Sequence, residues 1–131
     1  MNRNELLALV SRSKPASSDE RRTIYEPVNG DFDARRLDTF EFKEPVPIGN
    51  HFHEQSDELF FIVSGSIRTL ALADIDSNES VILENLGPYT RIRVPRRVAH
   101  AMIPEPGTVM VCLATEPFNE AKQDLNPCKL L

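Results

Sequence analysis

The amino-acid sequence predicts an all-β fold, a small double-sheet barrel of jelly-roll form with a short N-terminal helical extension. Three observations predict it. Ten prolines are scattered through the 131 residues, and after Pro15 no uninterrupted helical pattern reaches the usual helix length of about 12 residues. Short apolar runs recur, each closed by Pro, Gly, Asn or Asp, which is how strands are bounded. About nine such runs, with turns every eight to twelve residues, have the spacing of a barrel or sandwich.

The elements follow in order. The one helix candidate lies at the front, where Asn4 offers a cap and Leu6, Leu9 and Val10 fall on one face at i, i+3 and i+4. Ser13 to Arg22 is polar and reads as a surface connection, so residues 1–22 form an extension on the outside of the domain or an arm reaching a second subunit. Thr23 to Val28 is a short strand whose Pro27 places it at an edge. Arg36 to Lys43 alternates, with Leu37, Thr39 and Glu41 on one face and Asp38, Phe40 and Phe42 on the other. Glu58 to Val63 and Ile67 to Ala73 flank Ser64-Gly65-Ser66 and read as a hairpin. Val81 to Glu84, Tyr89 to Val94, Ala99 to Ile103 and Thr108 to Ala114 complete the set, the last two as a pair around Pro104 to Gly107. The barrel is expected over residues 23–115 and a C-terminal tail over 116–131.

Composition narrows the function. Fifteen basic residues against twenty acidic ones leave a formal net charge of −5, the wrong sign for a nucleic-acid-binding face. No apolar run approaches the roughly 18 residues of a membrane span, and Leu6 to Val10 is too short for a signal peptide. Two cysteines, Cys112 and Cys128, do not make a disulfide framework, so a cytoplasmic setting is expected.

The chemistry concentrates in the histidines. There are three, and two form His51-Phe52-His53, whose imidazoles project from one face of an extended strand. Glu58 has the opposite parity, so the polar Glu54-Gln55-Ser56-Asp57 must reset the register before Glu58 opens the next strand. A carboxylate at the head of an apolar strand is costly to bury without a partner. His100 arrives from a third strand after the Pro95 turn. Three neutral imidazoles and one carboxylate suit one divalent transition-metal ion (Zn, Fe, Mn, Ni or Co) better than Mg or Ca. On an octahedral ion these four ligands would leave two positions open for an oxygen-rich ligand, whereas a closed structural zinc site more often uses Cys.

These residues resemble the cupin superfamily. His51-x-His53-x4-Glu58-x6-Gly65 has the spacing of the first cupin motif, and Pro95-x4-His100 that of the second. The resemblance spans about half the chain, from Pro45 to Ala114, and implies a small β-barrel in which His51, His53, Glu58 and His100 hold one divalent metal. Pro45 stands where the first motif opens on glycine, Arg97 replaces a glycine between Pro95 and His100, and Pro104 occupies the position often held by asparagine. None of these departures touches a ligand. Gly49 to His53, the Val63-Ser64-Gly65 turn and Ala114 to Asn119 are also similar to cupin domains of surface-polysaccharide and nucleotide-sugar biosynthesis proteins.

Other residues are candidates for substrate contact. Tyr25 and Tyr89, the two tyrosines, offer general acids. Arg91 and Arg93 make one face of their strand doubly basic, fit either for a substrate anion at the barrel mouth or for a solvated outer face. Arg96 and Arg97 sit in the turn before His100 and would flank the opening. Cys112 reads as a buried small residue and Cys128 as a free thiol.

The leading functional expectation is a metal-dependent enzyme that polarises a carbonyl or hydroxyl of a small oxygen-rich substrate, as in isomerisation or epimerisation of a sugar, nucleotide sugar or keto acid. An Fe(II) dioxygenase uses the same ligands. A metal-free isomerase would use His51 and His53 as acid–base residues, oriented by Glu58 and His100. The remaining alternative is a non-catalytic binding or sensor domain. The expected partners are a small-molecule ligand and a second copy in a homodimer that covers exposed strand edges, with no nucleic acid and no membrane.

Overall fold

Residues 1–131 are all described by the computed structural model. A single helical turn, α1 (Arg3–Leu7), precedes twelve strands: β1 (Val10–Arg12), β2 (Pro15–Ser18), β3 (Thr23–Tyr25), β4 (Arg36–Glu41), β5 (Ile48–Phe52), β6 (Glu58–Ser64), β7 (Ile67–Asp74), β8 (Ser80–Leu86), β9 (Thr90–Val94), β10 (Val98–Pro104), β11 (Val109–Ala114) and β12 (Asn126–Pro127). Two five-stranded antiparallel sheets, ordered β1-β9-β6-β11-β4 and β12-β5-β10-β7-β8, face each other, while β2 and β3 form a separate ribbon. The all-β double-sheet expectation is met.

Alternation builds the core. Phe60 and Ile62 of β6, Ile92 and Val94 of β9, and Met110 and Cys112 of β11 cluster with Leu70, Leu72, Val81 and Met102 of the opposite sheet. Each fully buried aliphatic side chain contributes roughly 1.5–3 kcal/mol. Leu6 joins this cluster from α1. The helix is capped by Asn2 rather than Asn4: the Asn2 side chain accepts from the Glu5 amide while Glu5 reaches back to the Asn2 amide. It ends at Leu7, and Val10, expected on its apolar face, already pairs with Ile92 across β1 and β9.

Several connections differ from their expected form. β6 and β7 do not make a hairpin; β6 pairs with β9 and β11, β7 with β8 and β10. The Gly65 corner carries the chain from one sheet to the other. Its φ is +84° and an added Cβ would sit 2.7 Å from Thr108 Cα, a position that only glycine fills without strain. The β10–β11 connection also changes sheets. Turn residues report that a strand ends, whereas which strand it then joins is decided by which apolar face must be covered. β7 and β8, joined through Ile75 to Glu79, do form a hairpin.

The sheets also reach beyond residues 23–115, because β1 lies at the edge of one and β12 at the edge of the other. β2 pairs with β3. Leu59 and Phe61 lie on the face of β6 opposite Phe60, yet both are buried. Phe61 is covered by Tyr89, on which Tyr25 stacks with ring centroids 3.7 Å apart. No helix is long and apolar enough to cross a membrane.

Candidate functional site

Three strands deliver the histidines and the glutamate to one end of the barrel. His51 of β5 stands opposite His100 of β10 in the antiparallel register, with a bulge between His100 and Ala101. Gly49 permits this approach: its φ is +87°, and a Cβ there would lie 2.7 Å from the His100 carbonyl oxygen. Glu58 opens β6 between Val94 and Ala114, at the end of the inward row that continues through Phe60 and Ile62. One ligand atom from each of His51, His53, Glu58 and His100 lies within 4.8 Å of the other three. The structure therefore brings together all four residues singled out by spacing.

Each is held by neighbours. The His53 Nδ1–H donates to the Asp124 carbonyl at 2.6 Å, which leaves Nε2 as the ring's lone-pair atom facing the cluster. His53 Nε2 lies 2.8 Å from Glu58 Oε1, and His100 Nε2 lies 3.6 Å from the same oxygen. Neither His53 Nε2 nor Glu58 Oε1 has any other polar partner that satisfies it. The other carboxylate oxygen, Oε2, accepts from the Cys112 thiol at 3.4 Å and has Arg36 Nη2 at 3.6 Å.

The electrostatics follow from burial and neighbours. Burial pulls the His100 pKa down to about 4. Burial likewise lowers His51, helped by His53. Burial acts the same way on His53, but the Glu58 carboxylate and the Asp124 carbonyl outweigh it and raise the pKa. Burial alone would raise Glu58, but His53, His100 and Cys112 hold it below the usual carboxylate range. The Cys112 thiol is pushed well up by burial and by Glu58.

The cluster forms the base of a cavity of about 1450 Å³. One wall is the inward face of β4 with the residue beyond it, Arg36, Asp38, Phe40 and Phe42; the other is the chain from Glu116 to Asn126. The two phenyl rings lie nearly parallel, with centroids 5.6 Å apart. The C-terminal wall is tied down through Asp124, whose carboxylate accepts the amides of Glu54 and Gln55 at 2.7 and 2.8 Å.

The other candidates lie elsewhere. Tyr25 and Tyr89 stack on each other on the outside of the barrel, away from the cavity. Arg91 pairs with Asp31 at 2.6 Å, and neither Arg91 nor Arg93 lines the cavity, because Ile92 and Val94 take the inward positions of β9. Arg97 binds Glu54 at 2.7 Å and Asp76 at 2.8 Å, and Arg96 lies 3.5 Å from Asp57. Arg36, Cys112 and Asp124 carry contacts to the cluster that spacing did not single out. The alternation of β4 already placed Asp38, Phe40 and Phe42 on one face, and Arg36 shares their parity.

Two stacked antiparallel sheets, with a His-x-His pair, a glutamate and a third histidine at one end, define a cupin-type barrel. The chain belongs to the family described as FdtA: WxcM-like, C-terminal, whose model matches residues 24–126. Among solved structures, the TDP-quinovose 3,4-ketoisomerase WlaRB from Campylobacter jejuni superposes with a TM-score of 0.73 at 19% identity, covering 90% of each chain. A 3,4-ketoisomerase from Helicobacter canadensis gives 0.70 at 20% identity, covering 88% of this chain and 86% of that one. The rmlC epimerase from Mycobacterium tuberculosis gives 0.69 at 18%, covering 86% and 65%. These likenesses establish the fold. No curated protein matches the chain.

Proposed function

We propose that the protein is an isomerase or epimerase of a sugar-like carbonyl compound whose reactive centre is a divalent transition-metal ion held by His51, His53, Glu58 and His100. The observation that carries this reading is the contact between His53 and Glu58. A neutral His53 that donates from Nδ1 points the lone pair of Nε2 at a carboxylate oxygen 2.8 Å away. Two lone pairs do not face each other at that distance without a metal ion or a proton to bridge them. The Nδ1–carbonyl bond is the arrangement that orients a metal-ligating imidazole.

When bound, the ion would supply Lewis-acid polarisation of a substrate carbonyl. The chain's residues do the rest. Asp124 fixes the His53 tautomer, Cys112 and Arg36 hold Glu58 so that Oε1 faces the imidazoles, and Phe40 and Phe42 offer an apolar face to the substrate. The names of the structural neighbours, sugar 3,4-ketoisomerases and an epimerase, support a reaction in which a proton leaves and returns at a carbon next to a carbonyl.

A second reading uses a proton where the first uses an ion. The raised pKa of His53 beside Glu58 favours a charged pair in which His53 serves as the acid–base group of a metal-free isomerase. Incubation of the protein with keto sugars in D₂O, followed by NMR, separates the two. The metal reading predicts deuterium incorporation next to the carbonyl that excess chelator abolishes and added Zn, Mn or Fe restores. Full incorporation in chelator assigns the chemistry to His53 and Glu58, and no incorporation under any condition removes the isomerase reading.

A further inference from the structure

The peptide unit that joins His53 to Glu54 is gripped at both of its polar ends. Its carbonyl accepts the Arg97 amide at 2.8 Å, and its N–H donates to the Asp124 carboxylate at 2.7 Å. Arg97 reaches the same loop a second time, with Nη1 donating to the Glu54 carboxylate at 2.7 Å. Its Nη2 and Nε donate to Asp76 at 2.8 and 3.1 Å, and its carbonyl accepts the Ile75 amide at 3.0 Å. One residue thus ties the His53 loop to the β7–β8 turn. The backbone of Arg97 is strained. Its φ is +64°, and it stands third in a turn closed by the Val98 amide on the Pro95 carbonyl at 3.2 Å, where glycine or asparagine is usual. A glycine could make both backbone bonds without strain, but nothing would then hold the turn in the one conformation that aims its N–H at His53. Strain kept at a single residue is a pointer from the outlier to a function.

We infer that Arg97 is a positioning residue for His53: its guanidinium locks the turn whose amide, together with Asp124, holds the His53–Glu54 peptide in place. The inference rests on His53 serving the reactive site, as an ion ligand or as an acid–base group, and it holds for either. The C=O and N–H of a trans peptide point in opposite directions. Bonds at both ends therefore stop the unit from turning about its flanking Cα atoms, and that turning is the ψ of His53. With Nδ1 also bonded to the Asp124 carbonyl, the imidazole has little freedom left. The ion pairs act by geometry more than by energy. The Arg97 and Glu54 side chains are 40% and 39% exposed, and ion pairs open to solvent add little to stability. A reactive side chain, in contrast, must stand within about 0.5 Å of its working position.

Two variants of the full chain test this. Arg97→Gly removes the guanidinium while relieving the backbone, and Arg97→Lys keeps a charge without the two-sided fork. NMR spectra of metal-free, ¹⁵N-histidine-labelled protein follow the His53 ring, with His51 and His100 as internal references. Zinc is then titrated in competition with a chromophoric chelator, and thermal unfolding reports stability. The expected unfolding midpoint of Arg97→Gly lies within about 4 °C of the wild type. Its His53 ring signals should broaden or shift while those of His51 and His100 stay, and its zinc affinity should fall about tenfold. Arg97→Lys should lie between the two. Wild-type His53 signals and zinc affinity in Arg97→Gly overturn the inference and leave Arg97 an exposed ion pair. A large drop in midpoint with all three histidines disturbed alike also overturns it, because Arg97 would then support the fold as a whole. Zinc that binds neither wild type nor variant removes the metal reading, and the His53 signals of the metal-free protein then support or overturn the inference by themselves.

Discussion

His53 has its ring held at Nδ1 by the Asp124 carbonyl, with a Glu58 carboxylate oxygen 2.8 Å from Nε2. Cys112 is the other half of that arrangement, a buried thiol that donates to Glu58. Because burial and Glu58 both disfavour its thiolate, it should be inert to thiol reagents, which attack the thiolate. Cys128 is partly exposed. Labelling of the native protein with a disulfide reagent should therefore modify Cys128 rapidly and Cys112 only in denaturant; equal rates for both would contradict the packing around Glu58. The histidine and glutamate positions were legible because short-range spacing carries them: i and i+2 share a strand face, and a carboxylate at the head of an apolar strand is conspicuous. Asp124 was not legible, because it acts from 71 residues away through a backbone carbonyl, and nothing local in its sequence marks that contact. Arg91 stayed open in the sequence because an alternating basic face looks the same whether it points into a cavity or, as here, toward Asp31.

At the scale of elements, glycines set how closely strands approach. Gly49 and Gly65 both adopt positive φ, and both leave no room for a Cβ against backbone atoms. Alanine at either position should lower stability by about 1–3 kcal/mol in urea titrations. The consequences for the site should differ. Gly49→Ala pushes β5 from His100 and should weaken metal binding, while Gly65→Ala, at a corner packed on Thr108, should leave ion content unchanged in the folded fraction. Equal ion content in both variants would show that the β5–β10 approach does not set the site. The C-terminal wall gives a parallel case. Asp124→Ala removes the carboxylate that accepts the Glu54 and Gln55 amides, and loss of such outer support typically weakens a metal site by about 10- to 100-fold; competition with a chelator measures it. Strand existence was largely legible from apolar runs and their Pro and Gly boundaries. Strand partnership was not, because β6 and β7 are joined by a tight turn yet serve different sheets, and only the facing core decides that.

The whole molecule is two sheets closed over one apolar core, with the open end reserved for polar chemistry. Leu72 is fully buried in that core, whereas Leu37 on the outer face of β4 is 61% exposed. Leu72→Ala should cost about 2–5 kcal/mol, and Leu37→Ala should stay within roughly 0.5 kcal/mol, as read from denaturant midpoints. A comparable loss at both would place the core elsewhere. The fold class was legible because composition alone disfavours helix, while the way the termini complete the sheets as β1 and β12 depended on contacts that no local pattern shows. Above all, His51, His53, Glu58 and His100 are proposed to hold one divalent ion between them. Elemental analysis by mass spectrometry, on protein purified without chelators and checked for folding by circular dichroism, tests it most directly. The expected result is close to one transition-metal ion per chain in the wild type and near-complete loss in His53→Ala and His100→Ala. Folded wild-type protein that holds no ion even after incubation with Zn, Mn or Fe, or variants that retain the wild-type content, would contradict it.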